Sequence, residues 1–481
     1  MADNWATSPT PLGSSALRRS LDLHLDLPHG SRGIGAALAR ALREAIRTGR
    51  LAPGTRLPSS RALAADLGVA RNTVADVYAE LVAEGWLSAR QGSGTRVAQR
   101  ATPRAARTAR RAPLPPHPLN PRVTYNLMPG TPDVSTFPRA AWAAAVRRAL
   151  TAAPSEAFGY QLANGRVELR RALAGYLARV RGVDVTPERV VLCSGFHQGL
   201  TLLARVLHAR GARRVAMESY GLPHHRDMLT AAGLQTTTLP YDAQGTDPTG
   251  LTPRTHAVLL TPSHQFPTGV PLTPERRQAA IDWARRTGGL LLEDDYDGEF
   301  RYDRQPVGAL QGLDPDHVVY LGTASKSLSP ALRLGWMVVP ERLLPEVLAA
   351  KGASETHSSV IDQLALAEFV HSGAYDRHIR AMRTRYRRRR DALVTTLATR
   401  APAYRVTGIS AGLHALLNLP PGVSESTALA RTTREGLALS PLTFHTLTPT
   451  PPPHPALILG YAAPPDHLFP GALNALCRAL T

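Results

Sequence analysis

Lys326 stands in a segment whose residue types could trap an aldehyde. The chain has 56 basic residues in 481, yet only two are lysines, Lys326 and Lys351. An arginine stays protonated, whereas a lysine can lose its proton and form a Schiff base. Lys351 fits the simpler explanation, a lysine left by chance in an arginine-rich chain. Lys326 differs in its neighbours, because the hydroxyls of Thr323 and Ser325 can contact a phosphate. The guanidinium of Arg333 can do the same.

An acidic segment, residues 293–299 (EDDYDGE), follows the apolar run 290–292. Its carboxylates could bind a metal ion, or one of them could hold a pyridinium nitrogen protonated. A metal site needs further ligands at suitable spacing, and no convincing set is present, so no metal ligand is predicted. The alternative explanation, a solvated acidic turn without a ligand, fits poorly because the segment directly follows an apolar run.

A third segment follows another apolar run and opens a helix. Backbone N–H groups at a helix N-terminus form a phosphate cradle. Its members are Ser194, Gly195, Phe196 and His197. Alone this pattern is common, but with the other two segments it supplies a lysine for an aldehyde, a phosphate grip and a carboxylate for a ring nitrogen. That is the binding chemistry of pyridoxal 5′-phosphate (PLP).

The elements that carry these segments are typical of an α/β protein. From about Val123 onward, apolar runs alternate with amphipathic helical stretches. The runs lie at 189–193, 256–260, 289–293 and 317–321. Each run ends at polar or glycine residues. The sequence therefore predicts that the residues that bind the ligand lie at the ends of strands.

The N-terminal part predicts a helix-turn-helix with a wing. A helix with hydroxyl caps begins at residues 58–61 and ends at Gly68. A second helix covers 70–82, with apolar residues at helical spacing that face a core. Its first residues enter the major groove in such motifs, and here they are Arg71, Asn72 and Thr73. Residues 85–97 (GWLSARQGSGTRV) then predict two short strands around a glycine turn.

This part closely resembles the winged-helix domain of GntR-type bacterial repressors. The resemblance is carried by residues 57–69 (LPSSRALAADLGV), 71–74 (RNTV) and 92–95 (GSGT). It implies that double-stranded operator DNA is contacted by Arg61, Arg71, Thr73 and the wing tip, Gln91 and Gly92.

Charge and composition set the domain boundaries. Residues 1–123 carry a net charge of +10 and the remaining 358 residues +9, so the denser charge at the N-terminus indicates a polyanion partner. We predict a flexible tail (1–25), a winged helix (26–98), a Pro/Ala/Arg-rich linker (99–123) and a PLP-binding domain (124–481). No run approaches the roughly 20 apolar residues of a membrane span, and no secretion signal is visible. We therefore expect a cytoplasmic protein without a membrane partner.

The C-terminal part resembles fold-type I aminotransferases, and the whole chain resembles the MocR subfamily, which fuses a GntR winged helix to an aminotransferase-like domain. The resemblance covers roughly 26–98 and 124–481. It is carried by residues 129–133 (PGTPD), 262–269 (PSHQFPTG), 293–302 (EDDYDGEFRY), 325–326 (SK), 333–335 (RLG) and 411–414 (AGLH).

The resemblance implies an α+β winged helix joined to an α/β PLP-dependent transferase fold of type I, in a head-to-tail homodimer. It implies that Lys326 forms the Schiff base with PLP and that Asp294 pairs with the pyridine nitrogen. Arg333 then binds the phosphate and Tyr296 lies beside the ring oxygen. Tyr160 would contact the phosphate of the partner subunit's cofactor.

Three departures from the family pattern concern the pocket. Leu222 occupies the place of the aromatic ring that stacks on PLP, with Tyr220 nearby as an alternative. Phe266 replaces the asparagine that holds the ring oxygen, which leaves His264 or Gln265 as substitutes. The segment 456–461 (ALILGY) lacks the arginine that grips a substrate α-carboxylate.

These observations favour a PLP-dependent transcriptional regulator over an enzyme. A working aminotransferase with a DNA tether is one alternative, and a DNA-binding protein with a relic pocket is another. The effector is either PLP itself or an amine or amino acid that reacts with it, and the missing arginine favours PLP alone.

Overall fold

The computed structural model describes residues 33–90, 94–99, 123–302, 307–354, 358–449 and 452–481. The described residues form two compact units, one before and one after the segment 100–122. The predicted N-terminal tail and nearly all of the predicted linker lie outside the described residues, so the three boundaries between the four predicted segments remain predictions.

The N-terminal unit consists, among its described residues, of helices and one hairpin. They are α1 (Ile34–Arg47), α2 (Ser60–Leu67), α3 (Arg71–Ala83), β1 (Leu87–Arg90) and β2 (Gly94–Val97).

The local chemistry of the sequence explains why α2 and α3 form. Helix α2 begins where the Ser59 hydroxyl accepts a hydrogen bond from the Ala62 amide at 3.1 Å. It ends at Gly68, whose φ of 66° lies in the left-handed region that glycine adopts without strain. The predicted apolar face of α3 is buried, and β1 and β2 pair antiparallel. The winged helix-turn-helix prediction is confirmed.

The C-terminal unit is an α/β domain with a smaller subdomain. Its helices are α4 (Arg139–Ala152), α5 (Val167–Arg181), α6 (Phe196–Ala209), α7 (Pro223–Ala231), α8 (Pro274–Thr287), α9 (Leu344–Ser354), α10 (Val360–His371), α11 (Ala374–Arg400), α12 (Glu425–Arg434) and α13 (Phe469–Leu480). Its strands are β3 (Tyr125–Asn126), β4 (Val190–Cys193), β5 (Arg214–Met217), β6 (Gln235–Thr238), β7 (Tyr241–Asp242), β8 (Gly245–Thr246), β9 (Ala257–Leu260), β10 (Leu290–Asp294), β11 (Val318–Thr323), β12 (Gly335–Val338), β13 (Arg405–Thr407), β14 (Ala415–Asn418), β15 (Leu437–Ala438), β16 (Ser440–Pro441) and β17 (Ala456–Leu459).

A seven-stranded sheet organises this unit, in the order β4-β12-β11-β10-β9-β5-β6. β12 is antiparallel to both of its neighbours, and the other six strands share one direction. The strands β4, β9, β10 and β11 are buried along their whole length, which explains why they read as continuous apolar runs. The four predicted runs match them to within one or two residues. Ligands bind at the carboxyl ends of such strands, so that edge is where the site is expected.

A four-stranded antiparallel sheet, β13-β14-β17-β16, forms the core of the smaller subdomain. The turn 411–414 leads into β14. No helix among the described ranges is long and apolar enough to cross a bilayer.

Candidate functional site

A cavity of about 310 Å³ opens at the carboxyl ends of the parallel strands. Residues that follow β5, β9, β10 and β11 contribute to it, together with the start of α6 and the turn at Gly130. Eight of the eleven residues predicted to bind the cofactor line this cavity: Phe196, His197, Asp294, Tyr296, Thr323, Ser325, Lys326 and Arg333.

Lys326 follows β11 and projects its amine into the cavity. Its Nζ donates a hydrogen bond to the carbonyl oxygen of Gly130 at 2.6 Å. Burial lowers the pKa of Lys326, although the carboxylates of Asp294 and Asp297 oppose that shift. A lowered pKa increases the fraction of neutral amine, which is the form that attacks an aldehyde. The surroundings of Lys326 therefore suit a nucleophilic lysine.

Asp294 ends β10 and faces the same cavity. Its side chain is buried, and burial raises its pKa well above the usual range, with Lys326 pulling in the opposite direction. A buried carboxylate of this kind is stabilised in its charged form by a cation close by. The protonated nitrogen of a pyridine ring is such a cation, so the site fits a pyridinium.

Replacing this carboxylate by an amide tests that fit. We expect Asp294→Asn to weaken PLP binding by at least about 10-fold, since a neighbouring opposite charge typically shifts a pKa by about 1 to 3 units. Absorbance titration of the purified protein with PLP measures the effect. Asp316→Asn is the matched control, because Asp316 is exposed near the opposite end of β11. Equal affinities in the two variants would contradict the role of Asp294.

Arg333 and the start of α6, which are predicted to bind the phosphate, both line the cavity. The Arg333 guanidinium donates to the carbonyl oxygen of Ser194 at 2.5 Å. Arg333 has a φ of 51°, a left-handed conformation that costs a non-glycine residue roughly 1 to 3 kcal/mol and recurs at functional sites. A Cβ at Gly195 would lie 3.3 Å from the Arg333 guanidinium, so glycine leaves the approach open.

Two hydroxyls that are also predicted to bind the phosphate line the same cavity. The Thr323 hydroxyl donates to the Ser325 hydroxyl at 2.9 Å and accepts from the Ser325 amide at 3.1 Å. With the amides that begin α6, the guanidinium and the hydroxyls offer hydrogen-bond donors to an anion. Ser194 and Gly195 shape this region without lining the cavity itself.

The structure shows where the departures from the family pattern lie. Leu222 and Tyr220 both line the cavity, and so does Phe266. His264 and Gln265 do not line it, because each is engaged elsewhere.

The partners of those two side chains are within the protein. His264 Nδ1 lies 2.8 Å from an oxygen of Asp297 and 3.1 Å from the hydroxyl of Tyr296. The Gln265 amide donates to the backbone carbonyl of Tyr220 at 3.0 Å, and its oxygen accepts from the Thr268 hydroxyl at 2.6 Å. His264 thus contacts the side chain predicted to lie beside the ring oxygen, and both His264 and Gln265 are hydrogen-bonded within the protein.

The strand that would carry the substrate-binding arginine is apolar. β17 is fully buried, and Ile458 packs with Leu416 and Leu442. Among the described residues that line the cavity there is one lysine, Lys326, and one arginine, Arg333. Both are assigned to the cofactor, which leaves no second guanidinium for a substrate carboxylate in the described lining.

Tyr160 does not line the cavity of its own chain and is 97% exposed. Several lining residues were not predicted from the sequence, and Glu218 and His225 are the ionisable ones among them. Thr261 and Met217 could have been found, because they lie at the ends of apolar strands. Leu447 could not, since it reaches the cavity from the smaller subdomain far along the chain.

Four of the residues predicted to contact DNA lie on described helices of the N-terminal unit and are at least partly accessible. Arg61 on α2 is exposed, and so are Arg71 and Asn72 at the start of α3, with Thr73 half-buried. They occupy the two helices that the motif places at the groove. Gln91 and Gly92 lie outside the described residues.

Known protein families match the N-terminal and C-terminal units separately. The family model "Bacterial regulatory proteins, gntR family" matches residues 35–97, and "Aminotransferase class I and II" matches residues 125–452.

Among curated proteins, the chain is 35% identical to the HTH-type pyridoxine biosynthesis transcriptional regulator PdxR of Corynebacterium glutamicum, over 81% of this chain and 84% of that protein. It is 33% identical to the probable rhizopine catabolism regulatory protein MocR of Rhizobium meliloti, over 95% of each. The HTH-type transcriptional regulator TauR of Rhodobacter capsulatus is 34% identical over 86% of this chain and 90% of that protein.

Solved aminotransferases share the fold of the C-terminal unit. An archaeal alanine:glyoxylate aminotransferase matches with a TM-score of 0.65 and 25% identity, over 73% of this chain and 89% of that one. A multiple substrate aminotransferase from Thermococcus profundus matches with a TM-score of 0.67 and 22% identity, over 75% of this chain and 92% of that one. The fold-type I prediction is confirmed, and the aminotransferase class I and II domain implies PLP as the cofactor.

Proposed function

Because this chain belongs to the MocR-type GntR regulators, which join a GntR winged helix to an aminotransferase class I and II domain, we propose that it controls transcription through PLP-dependent binding to an operator. Lys326 is the residue that captures the aldehyde, and α3 is the element that reads the DNA. The regulatory function is favoured over that of an aminotransferase carrying a DNA tether, because the similar full-length proteins are named as regulators.

The residues of the cavity support PLP as the ligand. PLP supplies an aldehyde, an anionic phosphate and a basic ring nitrogen. Lys326, which is half-buried, offers an amine of lowered pKa to the first of these groups. Arg333 and the start of α6 face the second, and the buried Asp294 carboxylate faces the third.

The apolar character of strand β17 is the observation that favours PLP over an amino acid as the effector. An α-amino acid brings a carboxylate, and its recognition normally uses a paired guanidinium. The described residues of the lining include one lysine, Lys326, and one arginine, Arg333. Both are assigned to PLP. We infer that PLP itself is the effector, rather than an amino acid that reacts with it.

We also propose a cytoplasmic homodimer. In this assembly Tyr160 reaches the cofactor phosphate of the partner subunit. Support comes from an exposed stretch on one chain, where Phe158 is 52%, Tyr160 97% and Leu162 74% exposed. Large side chains exposed together are typical of protein interfaces.

The test is a footprint of the purified protein on the DNA upstream of its own gene, with and without PLP. A ligand shifts operator affinity only if it binds the DNA-bound and free arrangements unequally. We expect PLP to change operator affinity by about 5- to 150-fold, the usual range of such coupling.

Pyridoxine 5′-phosphate is the matched control ligand, because it carries the ring and phosphate without the aldehyde. It should leave the footprint unchanged if the bond to Lys326 is what the protein senses. A footprint unaffected by PLP would make PLP a fixed group and direct the search to amines. Failure to protect any DNA under both conditions would contradict the proposal.

A further inference from the structure

Three histidines meet beside the cofactor cavity, although they come from two separate helices. His197 is the second residue of α6, while His224 and His225 are the second and third residues of α7. The two helices pack against each other, so their first turns lie side by side. This histidine cluster plays no part in the PLP contacts assigned above, except that His197 was predicted to belong to the phosphate cradle.

The spacing of the cluster suits one metal ion. The Nε2 atoms of His197 and His224 are 2.8 Å apart, and one ring nitrogen from each of the three residues lies within 4.8 Å of the other two. Imidazoles bound to zinc at about 2.0 to 2.1 Å in a tetrahedral arrangement have nitrogens roughly 3.3 Å apart. The observed spacings bracket that value, so small side-chain rotations bring three ligands to one ion.

The protonation of the cluster also suits metal binding, because only neutral imidazole is a ligand. Burial lowers the pKa of all three rings, and most strongly that of His225. Among the described residues, the only hydrogen bond to these rings joins His197 to His224. The ring of the buried His225 contacts the other two without such a bond, which leaves its nitrogens available to an ion.

The surrounding charges link the cluster to the cofactor. Arg333 and Lys326 both lower the pKa of His197, and they would oppose a dication in the same way. The carboxylate of Asp227 raises the pKa of His224 and would attract a dication. A phosphate held by Arg333 would offset part of the positive charge, so metal binding should be tighter when PLP is present.

We propose that His197, His224 and His225 form a site for a divalent transition metal of the zinc type at the rim of the cofactor cavity. Imidazole ligands select zinc, copper, nickel or iron over magnesium or calcium. Three protein ligands leave a fourth coordination position open. Two of the three, His197 and His225, also line the cavity, which places the ion where it influences PLP entry.

The test uses full-length protein without an affinity tag, titrated with Co²⁺ and then with competing Zn²⁺. We expect one Co²⁺ per chain, with the visible absorbance of a four-coordinate ion, and its displacement by Zn²⁺. His224→Ala should weaken binding by at least about 100-fold, because loss of an outer contact to a ligand alone costs about 10- to 100-fold. His224 is the variant of choice because it does not line the cavity.

His208→Ala is the matched control, since His208 is exposed in the last turn of the same α6. It should bind Co²⁺ as the unmodified protein does. No Co²⁺ absorbance in the unmodified protein, or equal binding by both variants, would overturn the proposal. If His224→Ala does not fold, His224→Asn removes the ligand while keeping a polar side chain. Metal binding is read without DNA, so its failure is distinct from failure of the proposed regulation.

Discussion

Replacing Lys326 by arginine or alanine is expected to abolish the visible absorbance that appears when PLP is added to the protein. Arginine keeps the positive charge but cannot supply a neutral amine, so the arginine variant separates covalent capture from electrostatic attraction. Alanine removes both. The measurement is a PLP titration by absorbance, followed by borohydride reduction and mass spectrometry of the peptides. Reduction fixes PLP to the amine that bound it, and the chain has only two lysines.

Lys351→Met is the matched control for this experiment. Lys351 is buried in α9, so methionine, which has a similar length, preserves packing better than alanine. This variant should keep the absorbance band and the modified peptide should contain Lys326. An unchanged band in the Lys326 variants would remove Lys326 from its assigned role. PLP found on Lys351 or on the N-terminal amine would do the same.

The positions of the cofactor residues could be predicted because strand ends are visible in the sequence. Buried parallel strands read as apolar runs, and the polar residues that follow them meet at one edge of the sheet. Asp294 ends β10 and Lys326 follows the neighbouring strand β11, so their meeting in one cavity follows from topology. The α3 helix was predictable for a similar reason, since its apolar spacing fixes which face is buried.

Contacts that depend on side-chain direction could not be predicted in this way. His264 lies within the same motif as Phe266, yet it turns to Asp297 and Tyr296 rather than to the cavity. Nothing in the spacing of residues separates these two outcomes, because both directions are open to a residue in a loop.

The histidine cluster shows the same limit at longer range. His197 and His224 are 27 residues apart, and the chain between them forms a helix, a strand and a turn. The adjacent pair at positions 224 and 225 was a visible signal. The third member, His197, belongs to a segment that predicts a phosphate cradle, so no sequence pattern groups the three histidines.

Replacing Arg71 by alanine is expected to weaken operator binding by about 5- to 150-fold, which corresponds to the roughly 1 to 3 kcal/mol typical of an arginine that contacts a base edge. Arg71 is exposed and is the first residue of α3, where recognition helices contact DNA. PLP capture should be unchanged, because the cavity is formed entirely by the other compact unit. The measurements are operator affinity at several salt concentrations and a PLP titration by absorbance.

Arg47→Ala is the control that separates a specific contact from loss of charge. Arg47 is also exposed, but it lies in the last turn of α1 and pairs with Glu44 at 2.8 Å. Its removal should change operator affinity far less than removal of Arg71. If Arg71 contacts a phosphate instead of a base, binding should weaken about equally on all DNA sequences and the salt dependence should fall by about one unit of slope. Equal loss of DNA binding and PLP capture in Arg71→Ala would mean that the two functions are not separable, because a residue of the winged helix would then support the cofactor site.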